Sequence, residues 1–200
     1  MLKGLKIVGG TLALLFSMYL YADNAPSVKP GYQSTIETGG VVEQQYLEDG
    51  AYQTAHYTAR AESPIEKYTV YYPKELENGT QTYPMVLIVN GTGGKATKYE
   101  PLLKHLASWG FVVVGTQDKG TGTGETTIQT LNYMLSLNDD PDSRFFQKID
   151  TESIGVTGHS QGGAATFRAI TMYPESRLFK TAVPISPVCE RVAQQATEYP

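Results

Sequence analysis

Four short apolar runs recur between residues 85 and 185: Met85-Val86-Leu87-Ile88-Val89, Phe111-Val112-Val113-Val114, Ile154-Gly155-Val156 and Ala182-Val183-Pro184-Ile185. They lack the polar alternation of a strand with one wet face, so each is expected to be a strand buried on both faces. Between them apolar residues fall at helical spacing: Leu102, Leu103, Leu106 and Trp109; then Ile128, Leu131 and Leu135; then Ala164, Phe167, Ala169 and Ile170. Strand and helix thus alternate, which yields an α/β architecture with a mostly parallel sheet and helices on both faces. In such sheets ligands sit beyond the carboxyl ends of the strands, and chemistry is expected at that edge. Ahead of this series, Ala51-Tyr52-Gln53-Thr54-Ala55-His56-Tyr57 and Tyr68-Thr69-Val70-Tyr71-Tyr72 alternate and read as half-buried antiparallel strands, with Glu77-Asn78-Gly79-Thr80 as a turn.

The 200 residues suffice for one domain with a hydrophobic core. A net charge of −4 with no run of Lys or Arg argues against nucleic-acid binding. Lys3 and Lys6 followed by an apolar stretch from Ile7 to Ala22 have the layout of an export signal or an uncleaved membrane anchor over 1–22. An extracytoplasmic protein, secreted or membrane-anchored, is therefore expected. Residues 23–50 are polar and carry Pro26, Pro30, Gly31, Gly39 and Gly40, the composition of a spacer; 51–200 then form the domain. Cys189 is the only cysteine, so no disulfide can form within these residues.

Gly158-His159-Ser160-Gln161-Gly162 matches G-x-S-x-G, and its context is the informative part, because it follows an apolar strand and opens a helical segment. A sharp strand-to-helix turn forces Ser160 into a strained backbone conformation and lifts its hydroxyl above the sheet. Gly158 and Gly162 provide clearance where strand and helix converge. The helix start gathers unpaired N–H groups and a positive dipole end, which would stabilise an oxyanion. The bland alternative is a glycine-rich turn whose serine caps the helix. A second oxyanion donor is expected from Asn90-Gly91-Thr92-Gly93-Gly94, with Thr92 as the choice, against a plain strand-to-helix turn. Neither Gly93-Gly94-Lys95-Ala96 nor Gly120-Thr121-Gly122-Thr123-Gly124-Glu125 has nucleotide-binding spacing. The Asp118–Gly124 loop either shapes the substrate pocket or is ordinary surface. The sequons at Asn78 and Asn90 read as coincidence.

A serine nucleophile needs a base, normally a histidine oriented by a carboxylate. No histidine follows His159. His159 is expected to point into the packing beside Ser160, while His105 sits in the first helix and His56 in the early strands. Asp139, Asp140, Asp142 and Asp150 are expected at the opposite edge of the sheet, as loop charges. Glu190 falls at the correct edge, but a surface role is the simpler reading.

The stretches Pro84–Gly93, Leu106–Val114, Thr121–Gly124 and Gly158–Gly163 together resemble bacterial and fungal α/β-hydrolases of the group that contains cutinase-like polyester hydrolases, chlorophyllases and dienelactone-hydrolase relatives. The resemblance implies the α/β-hydrolase fold and carboxylic-ester hydrolysis through an acyl-enzyme on Ser160. It also implies the backbone N–H groups of Gln161 and Thr92 as oxyanion donors, a small-molecule, lipid or polymer ester as substrate, and no metal or organic cofactor. The group's pattern continues with strands carrying an Asp and then a His, whereas this chain stops at Pro200. C-terminal strands absent from the chain, a missing base and an unpaired apolar sheet edge are therefore expected. A non-catalytic surface or binding protein keeping the fold is the competing function, and acyl transfer or peptide cleavage by the same serine is a third.

Overall fold

The structure, a computed structural model, describes residues 17–18, 25–29 and 31–188. The expected export segment lies outside the described residues except for 17 and 18, as do Cys189 and Glu190. No helix among the described residues is long and apolar enough to cross a membrane.

Six strands form one sheet: β1 (Thr54–Arg60), β2 (Lys67–Pro73), β3 (Tyr83–Val89), β4 (Val112–Thr116), β5 (Ile149–His159) and β6 (Phe179–Ile185). Their spatial order is β1-β2-β4-β3-β5-β6. The first two strands run antiparallel to their neighbours, and β4, β3, β5 and β6 pair in parallel. Helices α1 (Val41–Leu47), α2 (Glu100–Ser108), α3 (Glu125–Asp139) and α4 (Gln161–Thr171) complete the fold. With strand and helix alternating through β3–β6, this is the mostly parallel sheet of the α/β-hydrolase fold.

Strand periodicity separates two apolar layers. Met85, Leu87 and Val89 of β3 and Val112 and Val114 of β4 face one side, where they meet Leu131 and Met134 of α3 and Ala165 of α4. Ile88 and Val113 face the other, against Leu103 and Ala107 of α2. Each central strand is thus clad on both faces, which is why β3 and β4 carry no polar alternation.

Two strands differ from the sequence expectation in burial. β2 alternates in sequence, yet Tyr68–Pro73 are all buried. It lies inside the sheet between β1 and β4, with Tyr68 stacked on Tyr133 of α3 at 3.9 Å and Tyr71 packed beside α2. Tyrosine can be buried there because its hydroxyl keeps a partner: Tyr71 donates to Glu100 at 3.0 Å. β6 reads as apolar but is largely exposed, with Val183 at 56 % and Ile185 at 43 %. It is an edge strand among the described residues, with no further strand beside it.

The polar stretch before the domain holds the short helix α1 and touches α2. Trp109 Nε1 donates to the Glu48 carbonyl at 3.1 Å, and His105 Nε2 lies 2.9 Å from the Tyr46 carbonyl. Tyr46 also packs on Trp109 at 5.0 Å. Further upstream, the Ser27 N–H donates to the Lys98 carbonyl at 2.9 Å.

Candidate active site

β5 ends at His159, α4 begins at Gln161, and Ser160 alone makes the turn between them at φ 56°, ψ −116°. Such a positive φ is costly for a residue with a side chain and persists only where the surroundings enforce it. Here they do: the Ser160 N–H donates to Ile185 of β6 at 3.0 Å, and its carbonyl accepts from Ala164 and Val188, each at 3.2 Å. The two motif glycines make the turn possible. A Cβ on Gly162 would lie 2.1 Å from the Val89 carbonyl oxygen, so β3 and α4 meet in a way that no side chain survives.

Two backbone N–H groups near this turn have no acceptor among the described residues. Among the described residues, no acceptor is hydrogen-bonded to the N–H of Gln161 at the start of α4. In the loop after β3, the Gly91 N–H donates to the Tyr99 hydroxyl at 3.0 Å, that of Gly93 to the Lys119 carbonyl at 2.9 Å, and that of Gly94 to the Gly91 carbonyl at 2.8 Å. Thr92 is left as the one member of Gly91–Gly94 whose N–H has no acceptor among the described residues. Thr92 and Ser160 line the same cleft, of about 310 Å³, together with Tyr99 and His159. An apolar cleft of about 200 Å³ adjoins it, walled by Ile88, Val89, Leu102 and Ile185 and sharing Tyr99 and His159.

A buried polar strut fixes the Asn90–Gly94 loop from below. Asn90 is fully buried and its side-chain amide donates to the carbonyls of Thr116 and Asp118, at 2.9 and 2.8 Å. The Thr121 hydroxyl donates to the Asn90 carbonyl at 2.6 Å. Asp118, also buried, accepts from the Thr126 hydroxyl at 2.7 Å and the Gly120 N–H at 2.8 Å. These bonds leave no room for a glycan on Asn90. The Asp118–Gly124 loop was expected either to shape the pocket or to be plain surface. Lys119, Gly120 and Thr123 of this loop are exposed, the loop braces the Asn90–Gly94 loop, and Arg168 of α4 donates to the Gly122 carbonyl.

His159 departs from expectation. It is exposed and lines the cleft, its Nδ1 3.5 Å from the Tyr99 hydroxyl, instead of packing inward. The reason is the strand period: Val156 and Gly158 face the α3 and α4 layer, so Thr157 and His159 face the α2 side, where they line a cleft with Tyr99 and Leu102. His105 and His56 lie apart from the turn, bound to Asp49 and Tyr46 in one case and tilted against the Tyr71 ring in the other. Among the described residues no side chain is hydrogen-bonded to the Ser160 hydroxyl, and no group of His, Cys, Asp and Glu could hold a metal. Asp140 and Asp150 cap turns at the far end of β5, accepting from the N–H groups of Asp142 and Glu152, each at 3.0 Å.

Sequence reasoning missed Tyr99 and the Asn90–Asp118–Thr121 strut. The signal for Tyr99 was the glycine loop itself, since Gly91 and Gly94 leave the space its hydroxyl occupies: a Cβ on either would lie 3.2 or 3.3 Å from that oxygen.

An α/β-hydrolase sheet with a serine held at a strained strand-to-helix turn defines a class of protein, and comparison with known proteins narrows it. The chain belongs to the PETase family, described as PET hydrolase-like, which matches residues 37–199. It is 32 % identical over 124 residues to cutinase est1 of Thermobifida alba, a stretch covering 60 % of this chain and 38 % of that protein. Cutinase 2 of Thermobifida cellulosilytica is also 32 % identical over 60 % of this chain, and 44 % of that protein is covered. Bis(hydroxyethyl) terephthalate hydrolase of Streptomyces coelicolor is 31 % identical, with 60 % of this chain and 37 % of the relative covered. The chain thus matches less than half the length of each of these relatives.

Proposed function

We propose that the protein is a serine hydrolase of carboxylic esters, with Ser160 as nucleophile and the N–H groups of Gln161 and Thr92 as oxyanion donors. The Ser160 oxygen attacks the ester carbonyl and passes its proton to a general base; the carbonyl oxygen takes up the negative charge and is stabilised by the two amides. Collapse expels the alcohol, which leaves with a proton, and water then hydrolyses the acyl-serine. The base is expected to be a histidine oriented by a carboxylate. Substrates are proposed to be polyesters or the small esters released from them, a choice supported by relatives named as cutinases and as a bis(hydroxyethyl) terephthalate hydrolase. The apolar walls of the cleft beside Ser160 suit the acyl or aromatic part of such an ester. Export by the N-terminal segment fits a polymer substrate, which cannot enter a cell.

The observation that carries the reading is the Ser160 backbone at φ 56°, next to the unengaged Gln161 N–H and in one cleft with Thr92, whose N–H is also unengaged. In the protein including any residues its gene encodes past Pro200, a fluorophosphonate is expected to label Ser160. Ser160→Ala is expected to lower hydrolysis of p-nitrophenyl butyrate and bis(hydroxyethyl) terephthalate by ~10⁴-fold or more. Wild-type turnover by Ser160→Ala would overturn the assignment.

A further inference from the structure

We propose that Tyr99 is a positioning residue for the oxyanion donor, its hydroxyl setting where the Thr92 amide sits relative to Ser160. The proposal rests on the reading of Ser160 as nucleophile.

Tyr99 ends the 3-10 turn Ala96–Tyr99 and leads directly into α2, which is anchored in the core by Leu103 and Ala107. The phenol therefore projects from a rigid base. Its hydroxyl accepts the Gly91 N–H at 3.0 Å and lies under the loop between Gly91 and Gly94. On its other side the same oxygen is 3.5 Å from Nδ1 of His159, the residue before Ser160, with the two rings 6.4 Å apart. One oxygen thus touches both halves of the site, the loop that carries Thr92 and the strand end that carries Ser160. Because it accepts from Gly91, its own proton is available to His159, so both of its directions are set by the two halves it joins.

An oxyanion donor works only where charge develops, and a misplacement of about 1 Å can cost ~10²-fold in rate. Gly91 directly precedes Thr92, so a change in its anchoring reaches the donor without spacing to absorb it. Removing the Tyr99 hydroxyl leaves the Gly91 N–H without an acceptor, while the tether from Gly93 to Lys119 and the Asn90 strut still hold the loop in place. The loop is expected to shift, not to unfold.

The test uses the protein with its full encoded C-terminus. Y99F is expected to lower kcat for p-nitrophenyl butyrate by roughly tenfold to a hundredfold with KM within about twofold. Its affinity for a trifluoromethyl ketone, which binds as an oxyanion adduct, is expected to fall by the same factor. Y72F is the comparison: it removes a buried hydroxyl hydrogen-bonded to Glu77 and Arg144, both at 2.9 Å, away from the site. It is expected to lower Tm and leave kcat unchanged. A Y99F enzyme with wild-type kcat and ketone affinity, or one altered only in KM, overturns the proposal. So does a Y72F enzyme with the same kcat loss. Amide hydrogen exchange in the unsubstituted protein gives an answer even if Y99F does not fold. The Gly91 N–H is expected to be protected at least about tenfold beyond that of Thr92, and equal exchange overturns the proposal. S160A separates the two readings: an active S160A defeats both, whereas an inactive S160A with an unaffected Y99F defeats only the role of Tyr99.

Discussion

Gly158 and Gly162 stand so close across the turn that a Cβ on Gly158 would lie 2.4 Å from the Gly162 carbonyl oxygen. The last residues of β5 and the first turn of α4 are therefore in backbone contact, and the serine between them has nowhere to rest except above the sheet. Gly162→Ala is expected to cost at least about 3 kcal/mol, since its Cβ meets backbone on β3 that cannot retreat. Gly120→Ala is the comparison, because its Cβ would meet only Asp118 Oδ1 at 3.7 Å; a change within about 0.5 kcal/mol is expected. Urea midpoints of the two variants check this, and equal midpoints would show that the turn is not tightly packed.

The strain at Ser160 has a thermodynamic signature. Ser160→Gly relieves a positive φ worth roughly 1–3 kcal/mol and gives back about 0.5–1 kcal/mol to unfolded-chain entropy. The variant is expected to be about 1 kcal/mol more stable than the parent while losing all fluorophosphonate labelling. Equilibrium unfolding of both proteins under identical conditions decides it, and a less stable glycine variant would argue that the turn carries no strain.

As the proposed oxyanion donor, Thr92 would act through its backbone, so its side chain should be dispensable and its N–H should not. Thr92→Ala is expected to keep kcat within about threefold, and Thr92→Pro, which removes the N–H, to lower kcat by roughly 10²–10³-fold. Steady-state kinetics on a small ester, with circular dichroism to verify folding, distinguish the two. Equal activity in both variants would shift the donor to another residue of the loop.

Lys104 at 2.6 Å, with the Tyr71 hydroxyl adding to it against the opposing effect of burial, holds the Glu100 carboxyl below its ordinary value of 4.5. A folded-state pKa below the unfolded one contributes stability that is present above the unfolded value and is lost as pH falls through the folded value. Glu100→Gln is thus expected to cost stability at pH 7 and progressively less below pH 4.5. With Lys104 half exposed the effect stays under about 1 kcal/mol. Denaturation midpoints of parent and variant at pH 7 and pH 3 measure it; a gap that widens in acid would reverse the sign.

The architecture was legible where burial is the same along a whole element. Met85–Val89 and Val112–Val114 have helices on both faces, so every position had to be apolar and the strand could be read directly. β2 was misjudged because Thr69, Tyr71 and Tyr72 look amphipathic in isolation, and only the neighbouring strands and α3 reveal that both faces are covered. β6 is apolar in sequence like a central strand, but it lies exposed at the sheet edge, in line with the unpaired apolar edge expected there and not with burial on both faces.

By itself the sequence determined that strand and helix alternate, and that a serine flanked by two glycines stands where one passes into the other. Local chemistry suffices for that, because periodicity and the steric demand of a sharp turn act over a few neighbouring residues. Which amides are left free, that Asn90 and Asp118 brace one loop from beneath, and that Tyr99 and His159 share a cleft with Ser160 were decided only by tertiary structure. Those contacts join residues 8 to 60 positions apart, and a hydrogen bond across such a gap depends on how the sheet brings its strand ends together, which no local pattern encodes.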